Sequence, residues 1–286
     1  MEYPKISIIT PSYNQSAYLQ ETIESVVLQN YPNLEYIIID GGSTDGSVEI
    51  IKKYEQHVTY WVTEPDGGLY NALQKGFART TGKIMGWLNA DDLLHRKSLF
   101  TLAAIFTSLP QVNWVQGRPT SYNEIGMVAD SGNPVTSPYH FYLKRYINGD
   151  FIQQESTFWR RQLWDTAGSY ISEAHKYAGD FELWMRFFRY EKLYATHALI
   201  GGYRVRKNQL SRVFYEQYLD ECSKIIDSET LDAATQKVLK QIRSAEQTNK
   251  KSKVLGRLLG NKHEDLLAGN NLITYHFDSG TFQLMP

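Results

Sequence analysis

The sequence predicts an α/β protein built on a doubly wound sheet, because short β-branched runs alternate with amphipathic segments through its first hundred residues. The runs also end in acidic or glycine-rich turns, as in Asp40-Gly41-Gly42-Ser43 and Asn89-Ala90-Asp91-Asp92. With 286 residues, 42% hydrophobic and 21% charged, the chain can bury one large core, or one core and a smaller appendage.

Lys5 to Thr10 reads as the first strand, and Ala17 to Gln29 as a helix closed by Asn30-Tyr31-Pro32-Asn33. Leu34 to Ile39 is the second strand, stopping at the turn that begins with Asp40. A helix from Val48 to Gln56, a strand from His57 to Thr63, a helix from Leu69 to Arg79 and a strand from Ile84 to Leu88 follow. Beyond Leu99 the pattern loosens, with strands near Val112 to Gln116 and Ser156 to Arg160 and a helix from about Phe181 to Tyr190. Ser131 to Pro138, rich in Pro, Ser and Gly, reads as a loop bordering a substrate groove. From about Glu216 helix formers dominate, which puts a boundary near Tyr215 to Gln217.

Thirty Lys and Arg against 31 Asp and Glu leave a net charge of -1, which excludes a global attraction to nucleic acid. Cys222 is the only cysteine, so an internal disulfide and a multi-cysteine zinc site are excluded. The N-terminus passes directly into a strand, and no window approaches the roughly 18 apolar residues of a membrane span. These features predict a cytoplasmic location.

Asp91 and Asp92, adjacent at the end of Ile84-Met85-Gly86-Trp87-Leu88, gather hard oxygen ligands suited to Mg2+ or Mn2+ carrying a diphosphate. The competing reading is a strand-end turn or a helix cap. In doubly wound sheets ligands bind beyond the carboxyl ends of strands, where Asp40 and Asp91 both fall, although Asp40 also begins a glycine-rich turn. Asp66, ahead of Gly67-Gly68 and a helix from Leu69, either faces a ligand or caps that helix, and the two roles are compatible. Asp180 opens an amphipathic helix, where a carboxylate can cap it.

Taken in order, Ile9-Thr10-Pro11-Ser12-Tyr13-Asn14, Asp40 to Ser47, Glu64-Pro65-Asp66-Gly67-Gly68, Leu88-Asn89-Ala90-Asp91-Asp92 and Gly179-Asp180-Phe181-Glu182-Leu183-Trp184 resemble family 2 glycosyltransferases of the GT-A fold. The resemblance covers roughly residues 5 to 212. It implies a mixed sheet with helices on both faces, a nucleotide-sugar-binding half over 1–95 and an acceptor-binding half over 96–215. Residues 216–286 then form a mainly helical extension.

The same resemblance implies that Thr10, Pro11, Tyr13 and Asp40 hold the base and ribose, with Asp66 in the third loop of the nucleotide site. A carboxylate can accept the imide N–H of uracil, and a tyrosine ring can pack on a base. Asn89 stands where the family's acidic motif begins, so the metal, Mn2+ or Mg2+, falls to Asp91 or Asp92, with the other contacting the donor. Asp180 matches the catalytic base of inverting members, with Glu182 in reserve. In Gly201 to Ser211, which resembles a loop closing over donor, Arg206 is chosen to offset charge on the departing diphosphate. Trp159 and Trp184 either stack on sugars or belong to the core.

The implied activity is transfer of a single sugar from a nucleotide-diphosphate donor, with UDP favoured, to a hydroxyl of a glycan or lipid-linked acceptor in polysaccharide assembly. A nucleotidyltransferase would need a glycine-rich, basic loop after the first strand, which Thr10 to Asn14 does not supply. A non-catalytic scaffold of the same fold predicts donor binding without turnover. The stretch 250–262 carries five basic residues and no acidic one, with Leu255, Leu258 and Leu259 at helical spacing, the composition of a helix at a membrane interface or on an acidic partner. The alternative is a solvated helix packed on the catalytic domain. Asn270 to Pro286 is expected to add an edge strand or mediate self-association.

Overall fold

The structure is a computed structural model that describes residues 3–207, 209–251 and 271–285. Its first part is β1 (Ile6–Ser12), α1 (Ser16–Val27), β2 (Leu34–Asp40), α2 (Ser47–Lys53), β3 (Tyr60–Thr63), α3 (Leu69–Phe77) and β4 (Ile84–Trp87). β5 (Leu93–Leu94), α4 (Ser98–Ser108), β6 (Trp114–Gln116), β7 (Thr120–Tyr122), β8 (Val128–Ser131), α5 (Tyr139–Tyr142), β9 (Thr157–Arg160), α6 (Arg161–Thr166) and α7 (Gly179–Phe188) follow. The chain continues through β10 (Tyr194–Thr196), β11 (Gly201–Arg204), α8 (Leu210–Val213), α9 (Tyr215–Ser228), α10 (Ala233–Lys251), β12 (Leu272–His276) and β13 (Thr281–Leu284).

The main sheet has nine strands in the order β13-β12-β10-β6-β9-β4-β1-β2-β3. β1 runs parallel to β2 and β4, and the register that opposes Ser12 to Asp40 brings the ends of β1 and β2 level. β9 lies antiparallel between β4 and β6, which makes the sheet mixed. A smaller sheet, β5-β11-β7-β8, stands beside it, and β11 carries Gly201 to Arg204 to the edge of the site.

Each face of the large sheet is covered by helices. One apolar layer joins Leu19, Ile23 and Val26 of α1 to Leu102 and Phe106 of α4. The other joins Leu73 and Phe77 of α3 to Trp184 and Phe187 of α7 and to Cys222 and Ile225 of α9. Each such side chain, buried, contributes about 2 kcal/mol of transfer free energy. Trp159 and Trp184 sit here, 0% and 2% exposed, with the Trp184 ring stacked on Trp87 at a centroid distance of 5.7 Å. Both belong to the core and neither is open to a sugar.

Two element boundaries differ from expectation for local reasons. The third strand starts at Tyr60 and not His57, because Glu55–His57 closes a tight turn. The nearly continuous apolar run Ser98–Ser108 forms α4, whose helical period is blurred by apolar residues on most sides. β12 pairs with β10 and is followed by β13 as the outermost strand. Apart from its first two residues, the basic stretch 250–262 lies outside the described residues. Among the described residues, no helix is long and apolar enough to cross a membrane.

Candidate active site

Loops at the carboxyl ends of β1, β2, β3 and β4 build the site. The first two are stitched together: Asn14 N–H donates to Ser43 Oγ at 2.8 Å, and Thr44 N–H donates back to Asn14 Oδ1 at 2.9 Å. Asp45 accepts from Ser16 N–H at 2.8 Å and Ser47 N–H at 3.0 Å, so one carboxylate serves the first residues of both α1 and α2. Burial works to raise its pKa, but these bonds win and hold it at about 2.

Within this frame Tyr13 is 61% exposed, presenting a ring on which a base can stack. Pro11 is buried behind it. Two expected contacts turn inward. Thr10 is fully buried with its hydroxyl 2.9 Å from Tyr36 Oη, because both faces of β1 are covered. Asp40 is also fully buried and holds its own turn: Oδ1 accepts from Gly42 N–H, Ser43 N–H and Thr63 Oγ1, and Oδ2 from Ser43 Oγ at 2.6 Å. It shapes the loop.

The carboxylate that reaches over this loop is Asp66. A Cβ placed on Gly41 would lie 3.1 Å from Asp66 Oδ2, so the missing side chain at 41 makes room for it. Asp66 Oδ1 accepts from Gly68 N–H at 2.7 Å at the start of α3, so it also acts as a cap.

Asp91 and Asp92 diverge. Asp92 is fully buried, its Oδ1 accepting from Arg204 N–H at 2.8 Å and its Oδ2 from Asn89 Nδ2 at 3.1 Å. Burial, with the charges of Glu155 and Asp91 beside it, drives its pKa well above the usual carboxylate range. Glu155 is raised too, to about 7, chiefly by burial. Of the two candidates for the ion, Asp91 or Asp92, Asp92 is the enclosed one, already held by Arg204 N–H and Asn89 Nδ2.

Asp91 faces the loop after β11. Arg206 Nε donates to its Oδ2 at 2.7 Å, and Gln209 Nε2 approaches the same oxygen at 3.5 Å. Among the described residues no hydrogen bond reaches Asp91 Oδ1, and Asn89 Oδ1 is buried without a partner. No cluster of three His, Cys, Asp or Glu side chains suited to a metal occurs among the described residues. One carboxylate with a neighbouring amide oxygen nonetheless fits an ion that takes its remaining ligands from substrate phosphates.

Asp180 lies in the first turn of α7, half-buried. Its Oδ1 accepts from Phe181 N–H at 2.8 Å and from Tyr70 Oη at 3.2 Å. Burial pushes its pKa up to about 6, with Glu221 adding to the rise and the two hydrogen bonds opposing it. A carboxyl so poised is ionised at neutral pH yet basic enough to accept a proton. Glu182, the reserve, instead holds Arg186 through a two-toothed ion pair.

The sequence reading passed over three site-forming residues. Arg204 is fully buried, donates from Nε to the Asp91 carbonyl at 2.7 Å and lies over the Tyr18 ring. Glu155 and Tyr70 are likewise ordinary letters until the fold brings them against Asp92 and Asp180. A charged residue inside a strand, as Arg204 is, was the one available signal.

A family model described as Glycosyl transferase family 2 matches residues 7–165. The putative teichuronic acid biosynthesis glycosyltransferase TuaG of Bacillus subtilis is 31% identical over 144 residues, which is 48% of this chain and 53% of that protein, so the chain spans about half of its length. Among solved structures, S. aureus TarS 1-349 in complex with UDP-GlcNAc superposes with a TM-score of 0.65 at 19% identity, covering 91% of this chain and 77% of that one. The mannosyltransferase PcManGT from Pyrobaculum calidifontis, in complex with GDP-Man and Mn2+, gives 0.62 at 20% identity, covering 84% and 69%. The fold is that of GT-A glycosyltransferases, and the match over more than half of its residues shows that this chain belongs to glycosyl transferase family 2.

Proposed function

We propose that the protein transfers a single sugar from a UDP-sugar to a hydroxyl of a saccharide acceptor in polysaccharide assembly, with inversion at the anomeric carbon. The observation that carries this reading is Asp180: a half-buried carboxyl at the start of α7 with its pKa raised to about 6 and one oxygen already fixed by Tyr70 and Phe181. Its other oxygen takes the acceptor proton as the new oxygen–carbon bond forms. The bond from the anomeric carbon to the diphosphate breaks with its electron pair, and the proton stays on Asp180.

Tyr13 stacks on the base, and Asp66 accepts the uracil imide N–H, the role first given to Asp40. Arg206, beside Asp91, stabilises the charge that gathers on the leaving diphosphate. Asp91, with Asn89 next to it, would hold Mn2+ or Mg2+. Bound there, the ion neutralises diphosphate charge. TarS with UDP-GlcNAc and TuaG's putative part in teichuronic acid biosynthesis support the donor and the setting, and PcManGT with Mn2+ supports the metal. The basic stretch 250–262 suits contact with an anionic membrane surface that presents a lipid-linked acceptor.

The test is UDP release from a panel of UDP-sugars with Mn2+, Mg2+ or EDTA, in wild type and Asp180→Asn. Metal-dependent release from one donor, lost in the variant, is expected. Donor binding without turnover under every condition would overturn the reading in favour of a scaffold.

A further inference from the structure

α9 lies beyond the residues matched by the family model, yet one of its faces closes the site from behind. Tyr218, Glu221 and Cys222, spaced to share one side of a helix, pack toward the start of α7. Glu221 accepts three backbone N–H groups in a row: Lys176 at 3.0 Å, Tyr177 at 2.8 Å and Ala178 at 2.8 Å. Asp180 follows two residues later.

From the other side, Tyr70 Oη contacts the Tyr177 carbonyl at 2.9 Å and Asp180 Oδ1 at 3.2 Å. The Tyr70 ring is pressed against the backbone here, since a Cβ placed on Gly179 would meet it at 2.9 Å. The peptide at Tyr177 is therefore held at both ends, by Glu221 through its N–H and by Tyr70 through its carbonyl. No slack remains between this clamp and Asp180.

We propose that Glu221 is a positioning residue for the catalytic carboxylate: with Tyr70 it clamps residues 176–178, which aims Asp180 Oδ2 at the acceptor hydroxyl. This rests on the reading of Asp180 as the base. It gives α9 a part in turnover and not only in packing. The Glu221 carboxylate also acts on Asp180 through its charge, which raises the Asp180 pKa. The groups facing Asp180 are Tyr70 of α3, Glu155 ahead of β9, and Tyr218, Glu221 and Cys222 of α9. Among them Glu221 is the one whose charge raises Asp180 while its hydrogen bonds locate it.

The two ends of the clamp should therefore shift Asp180 in opposite directions. Glu221→Gln removes a negative charge and lowers the pKa of Asp180. Tyr70→Phe removes a hydrogen bond to the carboxylate and raises it. Both variants should also lose turnover, by roughly 10-fold to 100-fold for a misdirected base, with KM for the donor unchanged.

The experiment follows the Asp180 carboxyl by 13C NMR in the full chain, assigned through its disappearance in Asp180→Asn, alongside kcat and KM for UDP release from the preferred donor. Opposite shifts, with kcat reduced at constant KM, are expected. An unmoved Asp180 titration in Glu221→Gln protein that still binds UDP would overturn the proposal, as would unchanged kcat. If Glu221→Gln does not bind UDP, Glu221→Asp and Tyr70→Phe carry the test, and an unmoved titration in both overturns it. Full activity in Asp180→Asn would instead remove the base assignment, an outcome distinct from a failure of Glu221 alone.

Discussion

Arg206 Nε donates to Asp91 Oδ2 at 2.7 Å, although 115 residues separate the two. The guanidinium neutralises one oxygen of the carboxylate assigned to the metal, so the two cations compete for Asp91. Arg206→Ala should lower the Mn2+ concentration needed for half-maximal activity while reducing kcat by about 100-fold, because the leaving diphosphate loses a charged donor. A metal titration of UDP release measures both. A rise in the Mn2+ requirement would show that Arg206 assists the ion.

In the proposed mechanism Asp180 sets the acid limb of activity. With its pKa at about 6, it is increasingly protonated as pH falls through that value and cannot accept the acceptor's proton. The kcat profile should therefore fall below about pH 6, and Asp180→Asn should lose about 10²–10⁴-fold with UDP binding retained. A profile flat to pH 5 would exclude this carboxyl as the base.

Gly41 and Asp66 form a second testable pair. Gly41→Ala puts a methyl group 3.1 Å from Asp66 Oδ2, so the carboxylate must move. The donor KM should rise several-fold with kcat largely kept, and Asp66→Asn should do the same without the steric change. Unaltered donor KM in both would take Asp66 out of base recognition.

Stability has its own acidic anchor in Glu35. Lys5 Nζ lies 2.7 Å from Oε1, Thr81 N–H 2.6 Å and Ser7 Oγ 2.5 Å from Oε2, and Gly82 N–H donates to Ser7 Oγ in turn. Burial alone would raise this carboxyl, yet the hydrogen bonds outweigh it and bring the pKa to about 2. A depressed folded pKa means stability that is fully present above the unfolded value of 4.5 and is lost as pH falls toward 2. Glu35→Ala should lower unfolding free energy by about 2 kcal/mol at neutral pH and flatten its decline below pH 4.5, as read by urea unfolding. It should leave the acid limb of activity in place.

These cases also mark what the sequence discloses. Strands such as Leu34–Asp40 announce themselves because β-branched runs are dense and end in turn residues, so the sheet and the clustering of Asp40, Asp66 and Asp91 at one end could be foreseen. Which way a side chain points on a strand buried on both faces could not, because no polar alternation distinguishes the faces of Ile6–Ser12. The inward turn of Thr10 was hidden for that reason. The hold of Asp40 on its own turn was hidden because a turn-holding aspartate and a ligand-reading one look alike without their partners. Arg206 and Asp91, or Glu221 and Tyr177, meet only through folding, and their distances in sequence carry no signal.

The loops that receive the nucleoside are already tied to one another through Asn14, Ser43, Thr44 and Asp45. A ligand arriving there finds its seat assembled, so little freedom is surrendered on docking at that end. The phosphate end is closed by an ion pair between Arg206 and Asp91 that must be rearranged before a metal diphosphate fits. In the proposed mechanism recognition and commitment thus fall at opposite ends of one site: the tied loops hold the nucleotide, and the metal–donor complex takes Asp91 from Arg206.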